Sequence, residues 1–582
     1  LARLFTGPRA AKGVVWFSLP GGRPLYRAGQ PADTLYFVRS GRLGVTRDVP
    51  GQPQQLVGVI KPGEPAGEMA LIAGTPHSAT VTALRDSEIL AMSRQAFYAE
   101  ARKQPDVMAE LARLMILRTR QAAGHAATNE PAVFGFCGVS PGAQVRSLCE
   151  AVAQCIGDLG FSVKVVGAES ANQPPEWFSR IELSHDVMIL AAEASEPDWS
   201  HLCARQVDRL FLVGKGDARP PQDGAPLATV ATQLRRITDL VLIQPEDCHM
   251  PQGSEDWRHA VGATRIFQVK RGLKDDLARL ARILTGTSVG LALSGGGARA
   301  YAHLGVIRAF REAGAPIDLV SGASMGAVVA AGVAMGWQDK EICERISDAF
   351  VISNPLGDIA FPMVAMTQGL TVKQRLKKHF GNVEIADLWL PFFCTSSNLT
   401  TAACHLHQRG RVRSALRASV ALPGILPPVV MGGDVLVDGA VMCNLPTDIM
   451  RNWHRGPVVG VDVAAAEGLT AQDVARPPSI SRWLLSGEWR HGPPIVSILI
   501  RAATAPTARE TAQAHEACDL LISPLIEGVE LRDWRAFDPA VEAGYAAGRK
   551  ALAELKTPLI HLRRAGHTAE PQLFDFAAGG QD

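Results

Sequence analysis

The chain has 582 residues, too many for one core, and its 47% apolar and 20% charged content is that of a globular protein of several domains. A formal net charge of +2 lacks the cationic excess of a polyanion binder, so nucleic acid is not expected as a partner. No stretch of about 18 residues is apolar throughout, which excludes a membrane span on this reading, and the start Leu1 to Ala10 lacks the charged-then-apolar order of a signal peptide.

Ten cysteines are scattered without a CxxC pair, the pattern of a reduced, cytoplasmic chain with no structural metal. The run Cys404-His405-Leu406-His407 is the nearest thing to a ligand cluster. It has no second pair at zinc spacing, and alternation along a strand explains it. No metal and no cofactor are expected.

In chain order, residues 13–123 come first. Short apolar alternations such as Thr34 to Val38, broken by turn signals such as Ser40-Gly41, predict a small β-barrel or jelly-roll-like domain. A helix is predicted over Pro105 to Ala123, with a linker from Gly124 to Pro131. Residues 132–283 alternate apolar strands with helices: a strand at Ala132 to Cys137, a helix at Val145 to Leu159, then strands at Phe161–Val166, Val187–Ala191, Leu210–Val213 and Leu240–Ile243. That pattern predicts a parallel α/β domain. A second α/β domain is expected over 288–555, followed by a tail at 556–582. It opens with a strand at Val289–Leu293, a loop at Ser294 to Arg299, a helix at Ala300 to Ala313, a strand at Ile317–Val320 and a helix running to Met335.

The motif G-x-S-x-G marks a nucleophile on a sharp strand-to-helix turn, and it occurs three times here. Ser288 precedes a strand and cannot occupy such a turn. Ser140 follows one, but Pro141 removes a backbone N–H that would bind an oxyanion. Ser324, in Gly322-Ala-Ser324-Met-Gly326, follows a strand, opens a helix and has small neighbours. Ser324 is therefore the candidate nucleophile. Gly295, Gly296 and Gly297 lie at the end of the preceding parallel strand, where open α/β sheets bind ligands, and offer unobstructed N–H groups beside the charge of Arg299. These four form the candidate oxyanion hole. A phosphate loop is the alternative for a Gly-rich turn, but the P-loop Lys and Ser/Thr are missing. The late histidines His405, His407, His454 and His515 lack a strand-end setting. Asp438, at the end of the strand-like Gly433 to Asp438 and before Gly439-Ala440, is the candidate base.

Together Gly295 to Arg299, Gly322 to Gly326 and Asp438-Gly-Ala440 resemble, in order and spacing, the three signatures of the patatin-like phospholipases. The stretches Arg417 to Pro428 and Asn444-Leu-Pro446 match as well, and the resemblance spans roughly Ser288 to Lys550; Ala300 departs from the family's usual Gly. The resemblance implies a Ser324–Asp438 dyad acting on acyl esters of a phospholipid or lysophospholipid. The stretch Gly67 to Thr80 is similar to the phosphate-binding cassette of cyclic nucleotide-binding domains. In binding members Glu68 would hold the ribose hydroxyl and an Arg would hold the cyclic phosphate, but His77, followed by Ser78, stands at the arginine's place. A mostly neutral imidazole replaces a bidentate cation, so the resemblance implies the fold without cyclic nucleotide binding.

The combination looks like the neuropathy target esterase family, with residues 132–283 at the place of a degenerate nucleotide hydrolase-like region. The expected activity is a serine lipid ester hydrolase that contacts membranes peripherally; the stretch Ser479 to Gly492, with Trp483 and Trp489, reads equally as the membrane contact or as a loop packed on its own domain. The alternative is a nucleotide-sensing regulator whose C-terminal domain serves for docking. A DNA-binding regulator lacks its recognition helix.

Overall fold

The computed structural model describes residues 13–47, 55–104, 106–124, 132–222, 238–352, 357–361, 363–463, 508–526, 529 and 533–562. They form two compact units divided near Gly286.

The first unit begins with two four-stranded antiparallel sheets. One runs Val15–Leu19, Ser87–Ser93, Thr34–Ser40, Pro65–Ala66; the other runs Pro24–Tyr26, Thr80–Ala83, Leu43–Arg47, Gln55–Ile60. Alternation along Thr34–Ser40 turns Leu35 and Phe37 inward, where they meet Leu90, Met92 and Phe97. Leu111, on the helix Asp106–Gly124, joins the same core. The expected jelly-roll-like domain is therefore present.

A six-stranded parallel sheet follows, in the order Val163–Val166, Val187–Ala192, Val133–Gly138, Arg209–Lys215, Thr238–Gln244, Arg265–Lys270. Its inner strands are buried along their whole length because helices cover both faces, as parallel sheets require. The last strand was not expected from the sequence. Its apolar alternation is interrupted by Arg265 and Gln268, and the structure explains both. Arg265 and Arg209 converge on the buried Asp239, with Arg265 Nε 2.9 Å from Asp239 Oδ1, while Gln268 accepts a hydrogen bond from Gln244 at 2.8 Å.

Barrel and parallel sheet are stitched together by buried charge. Arg42 reaches Glu182 at 3.3 Å and Asp208 at 3.1 Å, and Arg85 reaches Glu182 at 2.5 Å and Asp208 at 3.9 Å. Two cations and two carboxylates, all nearly sealed from solvent, compensate one another. Removing one would leave a buried charge short of its partner.

The second unit is built on an eight-stranded sheet. Gly290–Leu293 lies between the parallel strands Leu319–Ala323 and Val458–Val461; Phe392–Asn398 adds to the first and Leu520–Ile522 to the second. Ala403–His407 and Asp434–Asp438 pair antiparallel with Phe392–Asn398. The central strands are wholly buried beneath helices that include Ala302–Glu312, Ser324–Ala334 and Phe537–Ala553. The strand expected at Ile317–Val320 runs instead from Leu319 to Ala323, directly into the helix at Ser324. The loop at Ser294 to Arg299 tightens into a 3₁₀ turn at Gly297–Tyr301 before its helix begins.

Candidate active site

Ser324 sits where the buried strand Leu319–Ala323 meets the helix Ser324–Ala334. The turn is so sharp that Ser324 adopts φ +52°, a left-handed conformation costing a non-glycine residue roughly 1–3 kcal/mol. The flanking glycines make it feasible. A Cβ on Gly322 would lie 2.6 Å from the carbonyl carbon of Gly326, and one on Gly326 would lie 2.4 Å from the Ser294 carbonyl oxygen. Strand, helix and glycine loop are thus in backbone contact, and no side chain fits between them. The helix N-terminus directs the positive end of its dipole toward Ser324.

Asp438 ends the strand Asp434–Asp438 opposite Ser396. Its Oδ2 accepts a hydrogen bond from Ser324 Oγ at 2.6 Å, and its Oδ1 accepts one from the Ala440 N–H at 2.8 Å. Its backbone is held on both sides, by the Ala421 carbonyl at 2.9 Å and by Ser397 Oγ at 2.8 Å. Burial pushes the carboxyl up to about 7, against the opposing effect of the hydrogen bonds from Ser324 and Ala440. An aspartate so shifted exchanges protons near neutral pH. Among the described residues no histidine hydrogen-bonds Ser324 or Asp438.

Three of the late histidines have separate partners. His407 Nε2 lies 2.8 Å from Ser396 Oγ, His515 Nε2 lies 2.9 Å from Asp462, and His454 Nδ1 lies 3.3 Å from Ser288 Oγ. This last Ser–His pair is buried ahead of the strand Gly290–Leu293, whereas Ser324 lies beyond the end of the neighbouring strand. Ser140 is also buried, its Oγ accepting from the Lys215 N–H at 3.2 Å. Cys404 to His407 occupy the strand Ala403–His407.

The glycine loop lies against Ser324: a Cβ on Gly295 would be 2.9 Å from Ser324 Cβ. Its donors are not equivalent. The Gly295 N–H is taken by Asn444 Oδ1 at 3.0 Å. The Arg299 guanidinium donates to the carbonyls of Val463 at 3.0 Å and Val529 at 3.2 Å, fastening the loop from outside. The N–H groups of Gly296 and Gly297 have no acceptor among the described residues.

Three further residues shape the site and received no role from the sequence. Ser419 Oγ accepts from the Ser324 N–H at 2.9 Å and donates to the Thr395 carbonyl at 2.7 Å. Asn444 holds Gly295. His303, fully buried on the helix Ala302–Glu312, lies with Nε2 2.8 Å from the Ser294 carbonyl at the foot of the loop. A carbonyl only accepts, so Nε2 carries the proton, and burial holds the imidazole neutral, down to about 4. Ser419 and Asn444 fall within stretches that carry the family resemblance, but nothing in their spacing announced these contacts.

In the N-terminal domain, Glu68 is buried at the start of the short helix Glu68–Ala73 and Ser78 is exposed. His77 is buried and its ring stacks on Tyr26 with centroids 3.6 Å apart. Burial lowers its pKa, so it carries little charge at neutral pH. The nearby arginines are engaged elsewhere: Arg85 with Glu182 and Asp208, Arg94 with the carbonyls of Ala32 and Leu71 at 3.1 and 3.2 Å. Ser479 to Gly492 lie outside the described residues. No described helix is long and apolar enough to cross a membrane.

Comparison with known proteins agrees with this architecture. The patatin-like phospholipase pattern matches residues 291–451, and the cyclic nucleotide-binding domain pattern matches residues 16–104. An uncharacterized NTE family protein of Mycobacterium tuberculosis is 30% identical over 553 residues, covering 92% of this chain and 91% of its own. Patatin-like phospholipase domain-containing protein 6 of Homo sapiens is 27% identical over 92% of this chain but only 44% of its own length. Neuropathy target esterase sws of Drosophila melanogaster is 26% identical over 92% of this chain and 42% of its own. The chain belongs to the NTE family of patatin-like phospholipase domain proteins, a membership that implies serine-hydrolase-type chemistry on lipid esters.

Proposed function

We propose that the protein is a phospholipase or lysophospholipase that releases fatty acids through a Ser324–Asp438 dyad. The observation that carries this reading is the 2.6 Å hydrogen bond from Ser324 Oγ to a carboxylate whose pKa burial raises to about 7. An ordinary aspartate is too weak a base to draw a proton from a serine at neutral pH. One near 7 suits general-base work, which contributes roughly 10²–10⁴-fold.

Asp438 Oδ2 takes the Ser324 proton as Oγ attacks the acyl carbonyl carbon. The oxyanion that forms is received by the Gly296 and Gly297 N–H groups, each such donor contributing on the order of 10²–10³-fold. Gly295 and Arg299 act on the oxyanion indirectly, by holding the loop to Asn444, Val463 and Val529. Collapse expels the alcohol oxygen of the head-group fragment, which takes the proton from Asp438. Water then gives its proton to Asp438 and attacks the acyl-enzyme, releasing the fatty acid and returning the proton to Ser324.

The substrate is taken from a lipid surface by an enzyme that docks peripherally. The nucleotide-sensing alternative finds less support, because His77 is stacked and its pKa lowered by burial, while Arg85 and Arg94 direct guanidinium N–H groups to other partners. Incubation with defined phospholipids and lysophospholipids, with identification of the released acid, tests the proposal. Wild type is expected to release fatty acid; Ser324→Ala and Asp438→Asn are each expected to lose on the order of 10³-fold or more, and the double variant to be little worse than either. Full activity in Asp438→Asn would overturn it.

A further inference from the structure

We infer that a hairpin whose described residues are 358–361 and 363–368, with the basic helix that follows it, is the surface by which this enzyme docks on an anionic lipid bilayer. The tip of the hairpin is apolar and stands in water: Ile359 is 70% exposed, Phe361 85%, Met363 83% and Val364 71%. Single exposed apolar residues are ordinary, but four large ones within six positions are a patch that calls for a partner.

The hairpin is a built element. Ile359 and Thr367 form an antiparallel bridge, the Ala360 N–H donates to the Met366 carbonyl at 2.8 Å, and the Gln368 N–H donates to the Asp358 carbonyl at 2.9 Å. Its base is fixed while its tip is not covered. Ala365 and Thr367 are buried, the Met366 N–H donates to Gly424 at 2.9 Å, and Thr367 Oγ1 donates to Ile425 at 2.7 Å. Gly424 and Ile425 follow closely on Ala421, whose carbonyl anchors the Asp438 N–H at 2.9 Å. The apolar tip is therefore rooted in the segment that positions the proposed base.

The charge beside it identifies the partner. Asp358 Oδ2 accepts from the Leu370 and Thr371 N–H groups at 2.5 and 3.2 Å, capping the helix Leu370–Phe380 from within the hairpin. That helix carries Lys373, Arg375, Lys377, Lys378 and His379 and has no carboxylate of its own. Asp348 alone meets three of these, at 2.7 Å from Lys378, 2.8 Å from His379 and 3.5 Å from Arg375. Lys373 and Lys377 are exposed and have no ion-pair partner among the described residues. An apolar projection next to a cationic helix whose charge Asp348 offsets only in part suits a bilayer with anionic head groups. The apolar side chains enter the acyl boundary and the lysines meet phosphates. A second copy of the chain would satisfy the apolar tip but not the excess positive charge.

This inference rests on the lipid-ester reading for its choice of surface, and its test needs no hydrolysis. Binding of the full chain to phosphatidylcholine vesicles, with and without phosphatidylglycerol, is measured by flotation for wild type, Ser324→Ala, Phe361→Ser with Met363→Ser, and Lys373→Gln with Lys377→Gln. Thermal unfolding checks that each variant is folded. Wild type and Ser324→Ala are expected to bind equally, and phosphatidylglycerol to strengthen binding. The apolar pair should lose about 10-fold or more on either vesicle, and the lysine pair about 10-fold on anionic vesicles only, together with the salt sensitivity. Absence of wild-type binding, or binding unchanged in both pairs, would overturn the proposal. So would an apolar pair that dissociates a dimer in sedimentation while binding vesicles normally. Vesicle binding as expected without fatty-acid release would instead overturn the hydrolase reading and leave the docking surface standing.

Discussion

The chain carries the motifs of two different families, and their polar groups are arranged differently. Around Ser324 the polar groups converge: its hydroxyl meets Asp438, its N–H meets Ser419, and the glycine loop against it is held by Asn444, His303 and Arg299. In the cassette at Gly67 to Thr80 the backbone fold persists, while the position facing the phosphate holds a stacked histidine. The arginine nearest in sequence to substitute, Arg85, is a strut between the barrel and the parallel sheet. A motif therefore marks a fold more reliably than an activity, and whether its cations are committed elsewhere decides between the two.

If Arg85 is a strut, removing it should cost stability. Arg85→Met leaves Arg42 as the one cation of the quartet beside Glu182 and Asp208, a loss on the order of 3 kcal/mol, seen as an earlier unfolding transition in denaturant. Unchanged stability would show that the buried quartet does not hold the barrel to the sheet. On the catalytic side, His303→Ala removes the hydrogen bond that steadies the Ser294 carbonyl below the proposed oxyanion donors. A fall of about 10–100-fold in kcat with KM little changed is expected, with partial rescue by His303→Gln. Equal changes in kcat and in the folded fraction would mark His303 as merely structural.

The raised pKa of Asp438 makes two opposite statements about pH. In the proposed mechanism hydrolysis needs the carboxylate, so kcat/KM should rise about tenfold per unit below pH 7 and level off above it. Folding favours the protonated form, because the folded pKa lies above that of the unfolded chain. The stability it contributes is therefore present at acidic pH and lost as pH rises through about 7. Asp438→Asn should abolish the first dependence and flatten the second; an activity profile flat from pH 5 to 8 would contradict both. The smallest effect is expected in the cassette. Calorimetry on the full chain should detect no micromolar binding of cAMP or cGMP, and His77→Arg should improve affinity only modestly, since Tyr26 still lies against that position. Micromolar binding by wild type would erase the contrast between the two motifs.

Much of this organisation is legible in the residues. Apolar runs such as Val187–Ala192 announce buried parallel strands, and the glycines around Ser324 announce a turn where no Cβ fits. The strand Arg265–Lys270 escaped because its pattern is written partly in charge, and only a distant Asp239 makes that charge tolerable in a core. Similarly, Arg299 and Gly295 stand in the oxyanion motif, yet their donors turn to carbonyls and to Asn444 supplied by segments far along the chain. Ser419 is invisible for the same reason, since its two hydrogen bonds go to Ser324 and Thr395 on other elements, whereas His303 meets the Ser294 carbonyl only because the glycine loop between them turns back on the helix. The apolar hairpin at 358–368 was passed over in favour of Trp483 and Trp489, which lie outside the described residues, because exposure is a property of the fold and not of composition.

If Ser324 and Asp438 form a self-sufficient nucleophile and base, covalent labelling of the serine should depend on that aspartate and on no histidine. Wild type, Ser324→Ala, Asp438→Asn and single replacements of His405, His407, His454 and His515 are treated with a fluorophosphonate, and the adduct is located by peptide mass spectrometry. One adduct is expected, on Ser324, absent from Ser324→Ala, formed at least about 100-fold more slowly in Asp438→Asn, and formed normally in every histidine variant. An adduct on another serine, or labelling of Ser324 that depends on one of those histidines and not on Asp438, would contradict it.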